Sequence, residues 1–276
     1  MTRVNPKKNL GQHFLKDREI ARKVAYSLKG QGCDSVLEIG PGTGILTEYL
    51  LERNFHDFRV IEIDNESVHY LREKFPAMEY IIRGDFLRMD LENYFSGKVC
   101  IAGNFPYNIS SQILFRVLEY RDRVTEVCGM FQKEVAERIC SPHGSRVYGI
   151  LSVLLQAYYN TEYLFTVPGK VFSPPPKVNS GVVRLTRSHE KEPEVEETLF
   201  RQIVKAAFNQ RRKKLRNSIR SAFVLRNEDC PFFDLRPEQL SVSMFSELSK
   251  WVEGNRIAVP EMSEHPEQTE HPEDPE

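Results

Sequence analysis

Apolar residues in this chain fall into two patterns: short unbroken runs, and longer segments in which they recur every third or fourth position. Short apolar runs bounded by turn residues read as buried strands, and the wider spacing reads as amphipathic helices. The pattern predicts helix 17–29, strand 35–39, helix 45–54, strand 58–63, helix 66–74 and strand 79–82. Strand 98–103, helix 109–120, strand 124–131 and helix 132–140 follow, then a helix near 147–157 and a strand pair, 160–167 and 180–187. Strands alternating with helices make βαβ units, and so an α/β fold on a largely parallel sheet. From about Glu190 the composition turns charged and then helical, which marks a small C-terminal helical domain. The expected organisation is a basic arm at 1–16, an α/β domain at 17–189, a helical domain at 190–259 and an acidic tail at 260–276.

Four polar or glycine-rich stretches each follow a predicted strand. After the first comes Gly40-Pro41-Gly42-Thr43-Gly44, a loop that lets a ligand approach the backbone closely. It departs from the dinucleotide fingerprint G-x-G-x-x-G, and a lone G-x-G-x-G is weak evidence. The second strand ends in Glu62-Ile63-Asp64, where an acid is placed to bind the hydroxyls of a ribose. The third leads into Gly84-Asp85-Phe86, where a carboxylate could accept from an adenine amine. The fourth is followed by Asn104-Phe105-Pro106-Tyr107, a small polar cup with aromatic walls. The Asn104 side-chain oxygen and the Pro106 carbonyl can each accept from an exocyclic amine, and the Tyr107 ring offers a stacking face. Open α/β sheets bind ligands beyond the strand ends, and all four stretches would meet there. Phe172 lies in a stiff proline-rich link, Val171 to Val178. It reads as a core anchor by itself, or, near the cup, as a second stacking wall.

Composition adds limits. The chain has 276 residues, 40% of them hydrophobic, enough for an α/β domain plus a smaller appendage. No apolar run approaches the roughly 20 residues of a membrane span, and the basic N-terminus lacks the apolar stretch of a secretory signal. Five cysteines, odd in number and without C-x-x-C spacing, read as buried thiols of a reducing cytosol. With the histidines scattered, no metal site is expected.

The net charge of −1 hides an asymmetry. Glu261 to Glu276 holds seven acids and no Lys or Arg, so the rest of the chain is net +6. That tail is expected to be disordered, and the mildly basic remainder suits a polyanionic partner. Asn209 to Arg220 has six bases and no acid, namely Arg211, Arg212, Lys213, Lys214, Arg216 and Arg220. Phe208, Leu215, Ile219 and Phe223 fall at helical spacing, so the segment predicts one amphipathic helix with a basic face. The N-terminal arm, with Arg3, Lys7, Lys8, Lys16 and Arg18, forms the second concentration of positive charge.

The motifs together resemble the ribosomal RNA adenine N6-dimethyltransferase family, in particular its bacterial small-subunit (16S) branch. The likeness is carried by Asn9 to Leu15, Glu38 to Gly44, Glu62 to Asp64, Gly84-Asp85, Asn104 to Tyr107, Phe172 to Val178 and Phe208 to Lys213, in order from about residue 5 to 255. The resemblance implies a Rossmann-like S-adenosylmethionine-dependent methyltransferase sheet with a small C-terminal all-helical domain. It implies cofactor contacts from Gln12, His13, Leu15, Gly40, Gly42, Glu62, Ile63, Asp85, Phe86 and Asn104, where the family often has Asn at His13. It implies a catalytic cup of Asn104, Pro106, Tyr107 and Phe172, and RNA contacts from the two basic segments. The implied reaction dimethylates two adjacent adenines in a hairpin loop of 16S RNA, by a cytoplasmic monomer acting on an immature small subunit. A resistance-type methyltransferase of large-subunit RNA shares every catalytic motif, but the arm and the long C-terminal domain resemble the small-subunit enzyme. A non-catalytic RNA-binding assembly factor on the same fold is the reading from another class, and the intact cup argues against it.

Overall fold

The computed structural model describes residues 4–257. The chain opens with a two-residue strand, β1 (Phe14–Leu15), and helix α1 (Arg18–Ser27). Next come β2 (Ser35–Ile39), α2 (Ile45–Leu51), β3 (Asp57–Glu62), α3 (Asn65–Lys74), β4 (Ile81–Arg83), β5 (Val99–Asn104) and α4 (Ser110–Glu119). After β6 (Val124–Gln132), α5 (Lys133–Cys140) and α6 (Ile150–Tyr158) come β7 (Tyr159–Val167), the short β8 (Phe172–Ser173) and β9 (Ser180–Arg187). The C-terminal part is helical: α7 (Glu197–Asn209), α8 (Leu215–Arg220) and α9 (Val242–Asn255).

Seven strands form one sheet in the order β4-β3-β2-β5-β6-β9-β7. The five from β4 to β6 run parallel, and β9 is antiparallel to both its neighbours. Every residue of β2 is buried, as expected of a parallel strand covered on both faces. The chain winds outward from β2 to β4, then returns to start again at β5 on β2's other side. That reversal opens a crevice beyond the carboxyl ends of β2 and β5, where α/β sheets hold their ligands.

One face of the sheet packs against α1 and α2, the other against α4, α5 and α6. The second core is continuous with the C-terminal helices, since Phe200, Ile203, Phe233 and Phe245 belong to the same apolar cluster as Ile101 and Val127. Two departures from the sequence expectation matter for function. First, residues 209–220 are not one helix. The chain turns at Gln210 to Lys214, with the Lys213 N–H donating to the Gln210 carbonyl at 2.7 Å, before α8 begins. Four adjacent cations with no acid among them gain nothing from helical neighbours, and the turn still lets Leu215 and Ile219 reach the core. Second, β1 pairs antiparallel with β8, Phe14 opposite Ser173 and Leu15 opposite Phe172. The N-terminal arm is therefore clipped to the proline-rich link. The predicted acidic tail, 260–276, lies outside the described residues, as do the first three residues of the arm.

Candidate active site

A cavity of about 240 Å³ occupies the crevice beyond the strand ends. Each predicted motif reaches it from a different element: Gly40 and Gly42 from the loop after β2, Glu62 and Ile63 from the end of β3, and Asp85 and Phe86 after β4. Asn104, Pro106 and Tyr107 close it beyond β5, and Gln12 and His13 of the arm form the facing wall. Gly42 has φ +56°, and a Cβ there would come within 2.8 Å of the Phe14 ring, so the loop and the arm meet only because this residue is glycine. Gly40, also at positive φ, has the Pro106 ring 3.9 Å from where a Cβ would stand.

The cup is anchored from below. The Phe105 ring is buried and packs on Phe131 with centroids 4.7 Å apart. A Cβ on Gly129 of β6 would stand 2.5 Å from the Phe105 ring, so that glycine makes the room. Above this anchor, the Asn104 Nδ2 donates to the His13 backbone carbonyl at 2.9 Å. A carbonyl only accepts, so one N–H of the amide is committed to the arm, which fixes the amide's orientation and leaves Oδ1 as its acceptor for a ligand. The Pro106 carbonyl accepts from the Ile109 N–H at 3.3 Å and keeps a second lone pair. The Tyr107 hydroxyl lies 2.7 Å from the Ser180 hydroxyl, which fixes its ring, and burial pushes the phenol's pKa up. Against that ring sits His13, centroids 5.4 Å apart and tilted by 31°. The His13 Nδ1 lies 2.7 Å from the Pro174 carbonyl and so must donate to it.

Glu62 is 4% exposed. Its oxygens accept from the Gly42 N–H at 3.1 Å and the Asp64 N–H at 2.9 Å. Burial pushes its pKa up, and these backbone donors hold it back. Each oxygen retains a lone pair, the acceptor set that vicinal hydroxyls require. Asp85 caps the short turn that follows it, accepting from the Leu87 N–H at 2.9 Å, and Phe86 is buried beside it. Ile63, 51% exposed, stands at the mouth. The acceptor oxygens of Glu62 and Asp85, the bare glycine loop and the apolar Phe86 and Ile63 together fit a nucleoside with a cationic extension. Among the described residues, no group of three or more His, Cys, Asp or Glu is placed to hold a metal ion.

Several expected roles need correction. Phe172 is fully buried in the core beneath α1 and does not line the cavity, so its ring is no stacking wall in this structure. Pairing with Leu15 across β1 and β8 turns it inward. Leu15 is likewise buried, and it faces only a small neighbouring cavity. Lys7 is not a free cation: its ammonium pairs with Asp64 and lies 3.3 Å from Glu66, which raises its pKa and ties the arm to the start of α3. In the C-terminal segment, Lys214 pairs with Asp234 at 2.9 Å and Arg216 with Glu228 at 3.2 Å. The Arg211 guanidinium donates to the carbonyls of Ser145 and Arg146. Lys8, Arg212 and Lys213 are exposed and form no ion pair among the described residues. Arg146, exposed on the loop that Arg211 holds, joins the last two, and nothing in its local sequence signalled it.

Sequence reasoning also passed over Glu38. It is 1% exposed on β2 and accepts from the Thr47 hydroxyl at 2.7 Å. Burial pushes its pKa up to about 8. The signal was there: a lone acid inside an otherwise apolar strand that feeds the glycine loop.

A family model described as ribosomal RNA adenine dimethylase matches residues 3–240 of the chain. Ribosomal RNA small subunit methyltransferase A of Parabacteroides distasonis is 54% identical over 255 residues, covering 90% of this chain and 94% of that protein. The protein of the same name from Cytophaga hutchinsonii is 52% identical over 257 residues, covering 92% and 100%. Among solved structures, a dimethyladenosine transferase from Plasmodium falciparum aligns with a TM-score of 0.75 at 23% identity, over 89% of this chain and 100% of that one. The 23S rRNA methyltransferase ErmE aligns at 0.65 and 24% identity, over 86% and 99%. At such identities the structural likenesses bear on the fold, a Rossmann-like methyltransferase sheet.

Proposed function

We propose that this chain, which belongs to the ribosomal RNA adenine dimethylase family, transfers methyl groups from S-adenosylmethionine to N6 of two adjacent adenines in a hairpin loop of small-subunit ribosomal RNA. Its relatives at 52–54% identity carry the small-subunit name over nearly their whole length, which favours that substrate over large-subunit RNA. The observation that carries the reading is the committed Asn104 amide: with its nitrogen on His13, the oxygen is presented to the cavity beside the Tyr107 ring.

When bound, S-adenosylmethionine supplies a methyl group already activated by its sulfonium. The protein's task is then to orient and stabilise. Asp85 and Phe86 would hold the adenine end of the cofactor, Glu62 the ribose, and the Gly40–Gly42 backbone the methionine end. The target adenine, turned out of its loop, stacks on Tyr107. Its amine donates to the Asn104 Oδ1 and the Pro106 carbonyl. Those bonds draw the nitrogen lone pair out of conjugation with the ring and strengthen as positive charge develops on N6. Tyr107, whose pKa burial raises, takes no proton, and the proton that N6 sheds once methylated passes to solvent.

The exposed Arg212, Lys213 and Arg146 near the C-terminal helices, with Lys8 on the arm, supply the phosphate-binding surface. The partner is an immature small subunit in the cytoplasm, met by a monomer, because one stacking cup cannot select one hairpin without a wide docking surface. No helix among the described residues is long and apolar enough to cross a membrane. Incubating the protein and labelled S-adenosylmethionine with small subunits that lack the modification, and in parallel with large subunits, tests the proposal. Dimethyladenosine in a 16S hairpin, seen by mass spectrometry, is the expected result. Methylation of large-subunit RNA instead would favour the resistance-type reading, and absence of any transfer would favour an assembly factor.

A further inference from the structure

Half of the basic run at 211–220 is already answered from within the helical domain. Lys214 pairs with Asp234, and Arg216 and Arg220 both pair with Glu228, at 3.2 and 3.0 Å. Arg212 and Lys213 are exposed and have no carboxylate partner among the described residues. The described chain ends close by. The Ile257 N–H donates to the Val224 carbonyl at 2.9 Å, the Arg226 N–H to the Asn255 carbonyl at 2.9 Å, and Leu225 bridges Arg256. Val224 to Arg226 come shortly after α8, whose other end adjoins Lys213 and Lys214. Six helical residues span only about 9 Å. Arg226 and Arg256 are exposed too, and neither forms an ion pair among the described residues, so two further cations flank the point of departure.

Residues 258–276 continue from there with seven acids and no Lys or Arg. An acid stands at every third position from Glu261 to Glu276, with prolines at 260, 266, 272 and 275. Three residues per turn is the period of a proline-type extended helix, in which those carboxylates would share one edge. A chain of this length spans roughly 22–26 Å on average, more than twice the length of α8. We propose that this acidic segment docks on Arg212 and Lys213 of its own chain and competes there with RNA phosphates. The proposal rests on the RNA-docking reading above. A row of carboxylates stands in for a phosphate backbone, so RNA must displace the segment to engage the same cations. The effective concentration of a tethered segment is on the order of millimolar. A contact with a dissociation constant of roughly a few tenths of a millimolar then lowers RNA affinity several-fold. The factor is the same for every RNA that needs these cations. Weak partners are therefore shed, and a subunit that also engages the arm and the cup holds on.

Filter binding of small subunits that lack the modification compares the full chain with two variants. One ends at Val259, and the other keeps its length but carries Gln or Asn in place of the seven tail acids. Both should bind about three- to tenfold tighter than the full chain at low salt, and the gain should fade as salt rises. Affinity for S-adenosylmethionine should not move. With Arg212→Ala and Lys213→Ala also present, the gain from either tail change should largely vanish. In the free protein a zero-length carbodiimide cross-link should join a tail carboxylate to Lys213, and bound RNA should suppress it. If the tail changes leave affinity unaltered while the two alanines weaken subunit binding, the proposal alone is overturned. A gain that persists in full beside the alanines overturns it as well, since general repulsion by net charge needs no docking. Alanines without effect on subunit binding would overturn it together with the RNA-docking reading.

Discussion

The Asn104 amide nitrogen is spent on the His13 carbonyl, so truncating the side chain removes an acceptor from the cup and a tether from the arm at once. Asn104→Ala should therefore cut single-turnover methyl transfer by about 10²–10³-fold, the usual cost of one well-placed electrostatic group. Cofactor affinity should fall only modestly, because the remaining wall is intact; equal losses in both would place Asn104 in cofactor binding alone. Glu62 acts earlier. Its replacement by Ala should weaken S-adenosylmethionine binding by about 1.5–3 kcal/mol, the range for lost hydrogen bonds to a charged group. Calorimetry checks this directly. Glu38 yields a prediction about stability. Its pKa in the folded protein, about 8, lies above the ordinary value of 4.5, so its contribution is complete below that ordinary value and is lost as pH rises toward 8. The loss runs at about 1.4 kcal/mol per pH unit. Thermal melts of Glu38→Gln and wild type should agree near pH 4.5 and diverge by pH 8, with the glutamine variant melting higher.

At the scale of elements, what could be read in advance was local. Each strand and the loop after it are contiguous in sequence, so Gly40–Gly42, Glu62, Asp85 and the Asn104–Tyr107 cup all reached the cavity wall as the pattern of runs and turns implied. Phe172 could not be placed that way. Whether its ring faces the cup or the core depends on its pairing with Leu15 of β1, far away at the other end of the domain's sequence. The outcome changes the expected phenotype of Phe172→Ala. Loss of a fully buried aromatic costs about 3–5 kcal/mol of stability, visible as a lower melting temperature rather than as a selective loss of turnover. The basic run was legible as charge but not as shape. Six bases in a row of twelve say nothing about which will be consumed by Asp234, Glu228 or a backbone carbonyl. Charge reversal at Arg212 and Lys213 should lower the salt slope of subunit binding by about 1.4–1.8, two phosphate contacts at 0.7–0.9 each. The same change at Lys214 and Arg216 should do less, and filter binding across a salt series separates the two pairs.

For the molecule as a whole, the cavity is a joint product of distant parts of the chain. The arm supplies Gln12 and His13, the sheet supplies the floor, and the clip of β1 on β8 holds the two together. Lys7 adds a second fastening on the opposite side, through Asp64 at the start of α3. The clip has a consequence for synthesis. A ribosome releases this chain from its N-terminus at about 5–20 residues per second, so the arm emerges first and waits for the stretch around Phe172 before its wall can be secured. Until then the growing polypeptide holds the glycine loop and the cup without a fixed lid, and a fragment ending short of β8 should bind the methyl donor poorly. The protein thus completes its cavity only late in its own birth.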